Sequence, residues 1–379
     1  MNWASTSGRP AAGRRHADEL VTVTTMRGLA ALAVCWFHVA LWNEHIPRWL
    51  FSFGLLGPHV FFIISGFVVP WALWRAGYDW SAAPRFFAKR LVRLEPPYLW
   101  TILLVLVLGF VQSAIGAEQW AFSIDWRRLL VHAAYVNAFV GLEWYNPVFW
   151  TLAIEFQYYV LIALLFPLLC TRDWRVRTLT MLTVLGAYLP FTRPSPELIF
   201  YFIPLFMNGF LLFQRAAGII GPREFWLWSL PLIGTTFAHS ALMPVLALLT
   251  VYLLLQNRFD TRVTAFLGQI SYSLYLVHAP IAKLQERAVG YLDSTAERVC
   301  LAAAAMGLSI FAAWIFYRLV ERPSINMSKR IGYRRPAAWT SGSADQATRI
   351  VTANGFEQAP TAVAEPRARE EPETRRAGA

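Results

Sequence analysis

Arg27 and His38 bracket ten residues, Gly28 to Phe37, that carry only apolar side chains or none. A neutral imidazole can take a proton from a hydroxyl near neutral pH, and a guanidinium can hold an anion. Eleven helical positions amount to about three turns plus roughly 20°, with a rise of about 16 Å, so the two side chains share one face. Ionisable groups at such depth in an apolar segment face a bundle interior or a watery cavity. Two plainer roles compete: a snorkelling interfacial arginine, and a core histidine bonded to a carbonyl. Cys35 precedes His38 by three residues, a spacing that also permits an imidazole-activated thiol.

Four further clusters carry groups of this kind. FFIISGFVVP, residues 61 to 70, sets Ser65 and Gly66 in an apolar run; the glycine suits close helix approach and the serine could bond a ligand. RFFAKRLVRLEPPYLW, residues 85 to 100, puts Arg90 and Arg93 three apart, a forked donor set for phosphates or a pair of lipid-headgroup contacts. Its Pro96 and Pro97 are expected to break the loop from the next span. NPVFWTLAIEFQYY, residues 146 to 159, buries Glu155, with Thr151 four residues before it and Tyr158 and Tyr159 just after. A buried carboxylate needs a partner, either in an ion pair with Arg27 or Arg93 or in a functional site. GQISYSLYLVHAPI, residues 268 to 281, aligns Ser271, Tyr275 and His278 on one helical face, as a polar cavity lining or as interhelical glue.

Elements able to hold these groups must be membrane helices. The 379 residues are 56% hydrophobic and 15% charged, with 17 Trp, too apolar for one soluble core. With about 20 helical residues needed per crossing, the expected spans lie near 20–42, 52–74, 96–117, 147–170, 177–192, 198–214, 224–239, 241–256, 263–285 and 299–320. The seventh and eighth, separated only by His239 and Ser240, could form one kinked helix. Lys and Arg concentrate in alternate loops, such as Arg85 to Arg93 and Arg172 to Arg177, which places both termini in the cytoplasm. The fold class is thus an all-α polytopic transmembrane helix bundle of about ten spans.

The net charge of +11 reads as this topology signal, not as a nucleic-acid surface. Cys35, Cys170 and Cys300 provide neither a disulfide framework nor metal spacing, so no metal is expected. The first apolar segment is too long, and too charged, for a cleavable signal. Residues 1–17 and 336–379 have the composition of disordered cytoplasmic tails flanking a transmembrane domain at 18–325. No internal repeat is visible, which disfavours a repeat-built transporter.

Together these residues resemble the acyltransferase-3 family of bacterial integral-membrane proteins, which move acyl groups onto sugars and related hydroxyls. Arg27 and His38 match its arginine, ten residues, histidine signature; Phe61, Phe62, Ser65, Gly66 and Phe67 match FF-x-x-SGF. Arg90, Arg93 and Pro96 match its arginine-proline element, and Trp150, Thr151 and Glu155 its W-[ST]-x-x-x-E. Ser271, Tyr272, Tyr275 and His278 are similar to SYxxYLxH, and Glu321 with Pro323 to the closing E-x-P. His59 departs from the pattern, standing where many relatives have an acidic residue.

The resemblance implies an O-acyltransferase of the bacterial inner membrane, using an acyl-CoA donor, acetyl by default, and a carbohydrate or related hydroxyl acceptor. It implies His38 and Glu155 as catalytic residues. Arg27, Arg90, Arg93 and Ser65 would bind the donor, while Trp150, Tyr275 and His278 would contact substrate. A transporter or flippase of polar lipids is the competing class. It needs a watery path but not the arginine-histidine face combined with inner-rim phosphate binders.

Overall fold

The computed structural model describes residues 21–44, 46–114, 124–188, 198–256 and 261–332. Every regular element among them is helical, as the apolar composition requires. The expected tails at 1–17 and 336–379 lie outside the described residues.

Helix α1 (Val21–Ala40) carries Arg27 in its second turn and His38 in its last. Two short 3-10 turns, Arg48–Leu50 and Ser52–Leu56, lead to α2 (Gly57–Ala76). Pro58 fits the first turn of α2, where a missing N–H costs nothing, and Gly77 ends the helix at φ 62°, in the left-handed region. Beyond α3 (Ala83–Ala114), a connection with α4 (Trp126–Ala133) and α5 (Asn137–Val140) reaches α6 (Phe149–Leu169). The chain continues through α7 (Trp174–Gly186), α8 (Ile199–Ala216), α9 (Pro222–Thr235) and α10 (Met243–Gln256). It closes with α11 (Arg262–Gln269), α12 (Ser271–Val289), α13 (Thr295–Phe316) and α14 (Arg322–Lys329), the last two joined by a π-helical turn, Tyr317–Glu321.

Among the described residues, six helical segments are long and apolar enough to cross a bilayer: Val21–Ala40, Ser52–Ala76, Trp80–Ala114, Phe149–Leu169, Ile199–Ala216 and Thr295–Lys329. The other four expected spans take different forms. Helices α7, α9 and α10 have 13, 14 and 14 residues. The segment at 263–285 is divided at Ile270 into α11 and α12, and α12 ends in a charged stretch with Lys283, Glu286 and Arg287. Helices α9 and α10 are separate, divided by the turn Thr236–Ala238, so they are not one kinked helix.

The expected break at Pro96 and Pro97 does not occur: α3 passes through both as one 32-residue helix. Hydroxyl side chains bond two carbonyls at or close to the proline pair. Tyr272 Oη donates to the Leu94 carbonyl at 3.1 Å, and Thr101 Oγ1 to that of Pro97 at 2.8 Å. The carbonyls that Pro96 and Pro97 leave without an N–H donor are those of Val92 and Arg93, one turn back, so these bonds brace the helix beside the pair.

Two glycine contacts set the helix spacing around the site. A Cβ on Gly66 would lie 2.1 Å from the Phe206 carbonyl oxygen, and one on Gly209 2.0 Å from that of Ile63, so α2 and α8 touch backbone to backbone. Gly28 and Gly268 do the same for α1 and α11, where a Cβ on Gly28 would lie 2.5 Å from the Gly268 nitrogen. The two larger apolar cores among the described residues form around these contacts. One gathers Phe62, Tyr158, Phe206 and Phe213 from α2, α6 and α8; the other gathers Val34, Tyr98, Phe149 and Tyr275 from α1, α3, α6 and α12. Phe61, Leu94 and Phe156 pack against both.

Candidate active site

Along the seam between the two cores runs a cavity of about 790 Å³, counting its open mouth. Arg27 of α1, Ser65 of α2, Arg90 and Arg93 of α3, Glu155 of α6 and Tyr275 of α12 all line it. Five helices thus bring together six residues chosen from sequence. Phe61, Phe62, Leu94 and Leu152 supply the apolar wall. Trp150 is not among the lining residues: it packs against Phe62 and Phe202, with ring centroids 6.4 and 5.7 Å away.

On the wall, three guanidiniums meet one carboxylate. Glu155 Oε1 accepts from Ser65 Oγ at 2.9 Å and from Tyr159 Oη at 2.6 Å, so α2 and α6 jointly fix this carboxylate. The Tyr159 and Phe86 rings also hold Arg90, whose guanidinium carbon lies 5.2 and 5.7 Å from their centroids. Such cation–π contacts use the charge and consume no N–H donor. Arg93 lies in the fields of Arg27, Arg90 and Glu321. Glu321 belongs to the π-helical turn and is buried, accepting from the Ser273 backbone N–H at 3.1 Å and from Ser273 Oγ at 2.6 Å. Helix α12 thereby holds a fixed counter-charge beside Arg27 and Arg93. The buried Nε of Arg27 has no hydrogen-bond partner among the described residues. A buried guanidinium donor without a partner is rare in a folded protein and calls for an explanation.

The hydroxyls of Ser65 and Tyr275, both on the cavity wall, have already committed their protons. Ser65 donates to Glu155. Thr151 Oγ1 donates to the Val148 carbonyl at 2.9 Å, so in its 2.7 Å bond with Tyr275 it accepts and the tyrosine donates. Neither has a second proton for a developing oxyanion.

His38 is not on the cavity wall; it meets His278 beyond Tyr275, whose ring lies 5.8 Å from that of His278. His278 Nε2 stands 3.3 Å from His38 Nδ1. Each Nδ1 also faces the carbonyl one turn back on its own helix, Val34 for His38 and Leu274 for His278, both at 2.9 Å. Carbonyls only accept, so both neutral rings carry their proton on Nδ1, and both Nε2 atoms hold lone pairs. The His38 proton is shared between the Val34 carbonyl and His278 Nε2, leaving His38 Nε2 as a free base. Cys35, fully buried, lies against Ser309 of α13.

With this geometry in view, comparison with known proteins decides the family. A family model described as an acyltransferase domain, Acyl_transf_3, matches residues 21–318, which take in every side chain of the cavity and the histidine pair. The chain belongs to the acyltransferase-3 family. It is an acyltransferase with membrane-type helices. The acyltransferase MdmB of Streptomyces mycarofaciens is 23% identical over 389 residues, covering 88% of this chain and 98% of that protein. The O-acetyltransferase OatA of Staphylococcus aureus is 24% identical over 357 residues, covering 79% of this chain and 56% of that protein. No solved structure matches the chain.

Sequence reasoning missed the contact of His278 with His38, because nothing in the spacing on α12 says which element it faces. It also missed a buried network in the connection before α6. There, His132 Nδ1 bonds the Arg128 carbonyl at 2.8 Å and Nε2 accepts from the Tyr145 N–H at 2.9 Å. Asn146 Nδ2 ties the same connection to α12 through the Leu276 carbonyl at 2.9 Å. His59, a departure from the family pattern as read from sequence, sits among rings: Phe62, Phe202 and His239, with centroids 6.4, 5.8 and 5.1 Å away.

Proposed function

We propose that this acyltransferase moves an acyl group, acetyl by default, from acyl-CoA to a hydroxyl of a cell-surface or exported carbohydrate or related molecule. It does so in the bacterial inner membrane, through a bundle of ten crossings with both termini in the cytoplasm. The carrying observation is the convergence of Arg27, Arg90 and Arg93 on one cavity, with a buried Arg27 donor unused. A nucleotide-bearing donor presents the phosphates such a set would hold. The rise of about 16 Å from Arg27 to His38 is comparable to an extended pantetheine arm. The names of the relatives, acyltransferase and O-acetyltransferase, support the same chemistry.

In this mechanism the acceptor oxygen attacks the thioester carbonyl carbon while its proton passes to His38 Nε2. The tetrahedral intermediate then expels the CoA sulfur, which receives that proton, and His38 returns to neutral. Glu155, fixed by Ser65 and Tyr159, holds the positive wall of the donor site in register. The donor enters from the cytoplasm and the acceptor from the opposite face.

The test is purified protein in lipid nanodiscs, given acetyl-CoA labelled in the acetyl group and an extract of cell-envelope glycans. The expected result is label transfer or thioester hydrolysis, lost in His38→Ala. Full activity in His38→Ala, or no turnover of any acyl-CoA by folded wild type, would overturn it.

A further inference from the structure

We infer that His278 is a positioning residue for His38, an uncharged imidazole partner that holds the base by its Nδ1 edge, and not a substrate contact. The inference rests on the reading of His38 as the base. His278 is fully buried, its Nδ1 proton is taken by the Leu274 carbonyl, and its Nε2 lone pair points at His38. The two rings lie 4.9 Å apart between centroids at 58°, so they meet edge to edge through nitrogen and do not stack.

Such a partner does three things. First, with the Val34 carbonyl it keeps the His38 proton on Nδ1, which leaves Nε2 to receive the acceptor's proton. Second, it fixes the ring's rotation from a second helix, because Val34 lies on the same helix as His38 and cannot alone set the ring plane against α12. Third, when His38 becomes an imidazolium, the Nδ1–H bond to a lone pair becomes charge-assisted and strengthens in the transition state. No proton leaves His38 Nδ1 in this scheme, so nothing need be carried away through the protein core. A buried carboxylate would bring a charge into the bundle; the imidazole supplies an acceptor without one.

Position is maintained by the same contacts that build the cavity. Tyr275, one turn before His278, is tied to Thr151, and the Asn146 bond to the Leu276 carbonyl fixes α12 between them. A donor chain rising past Tyr275 would therefore meet the base at a set angle.

The experiment compares His278→Phe, which keeps a ring and removes the acceptor, with His278→Gln, whose amide oxygen restores one. The proposal expects His278→Phe to lower kcat for acetyl transfer by about 10- to 100-fold, the loss of one hydrogen bond to a charged group, with KM for acetyl-CoA unchanged. His278→Gln should recover most of that loss. Equal loss in both variants, or no loss in His278→Phe, overturns it. A readout independent of turnover accompanies the kinetics: 15N spectra of histidine-labelled wild type should show coupling across the hydrogen bond between His38 Nδ1 and His278 Nε2. Absence of that coupling refutes the pairing. Coupling without turnover in wild type would refute the acyl-transfer reading and leave the pairing intact.

Discussion

Adding one methyl group at Gly66 should damage both stability and activity. In Gly66→Ala the new Cβ would sit 2.1 Å from the Phe206 carbonyl oxygen, a backbone atom that cannot rotate away. Ordinary contact begins near 3.4 Å, so α2 and α8 must separate by 3.4 − 2.1, or 1.3 Å, at this crossing. Overpacking of that kind costs about 1–3 kcal/mol. Ser65 is the next residue on α2 and holds Glu155 at 2.9 Å, so the same shift breaks the bond that fixes the carboxylate. Displacement of about 1 Å in a catalytic arrangement lowers rates by roughly 100-fold. Thermal unfolding in detergent by intrinsic tryptophan fluorescence, with acetyl-CoA turnover on the same preparation, measures both effects. A lowered midpoint with a loss of about 100-fold in kcat is expected. An unchanged midpoint and rate would refute the backbone contact between these helices.

Cys35→Ser should retain activity within about twofold, because the thiol is fully buried and engaged with Ser309 of α13; an acyl-transfer assay of the variant checks this, and loss of turnover would restore the thiol-nucleophile alternative. A maleimide reagent should modify exposed Cys300 and spare Cys35, read by mass spectrometry of peptides. His132, in the connection outside the six long apolar helices, has its pKa pushed down to about 4, first by burial and further by the nearby Arg128 charge. The unfolded chain binds that proton from about pH 6.5 downward and the folded one only near 4, so the contribution is complete above about 6.5 and disappears as pH falls toward 4. His132→Asn should therefore show a smaller loss of melting temperature between pH 7 and pH 5 than wild type.

How far the site could be read from sequence depended on whether its contacts were local. The shared face of Arg27 and His38 follows from helical periodicity, and the helix is there from Val21 to Ala40. Gly66 was legible as a close-approach residue because an unsubstituted position in an apolar span has few other uses. The hydrogen bond of Tyr159 to Glu155 is an i to i+4 relation, visible in the spacing. By contrast, Ser65 meets Glu155 across 90 positions, and His38 meets His278 across 240; no local pattern encodes either. The continuity of α3 through two prolines was hidden for the same reason, since one carbonyl bond beside them comes from Tyr272 on a distant helix. Helix ends were less legible than hydropathy: within the expected segments 177–192 and 224–239, α7 and α9 stop after 13 and 14 residues.

The central claim is that three arginines around one cavity hold the phosphates of the acyl donor. Calorimetric titration of coenzyme A into nanodisc-embedded protein, wild type against Arg93→Gln, tests it most directly. The account predicts saturable binding that weakens at least about tenfold in the variant and falls with added salt, because charge-assisted contacts are lost or screened. Binding that is absent in folded wild type, or equal in the two proteins, would contradict it.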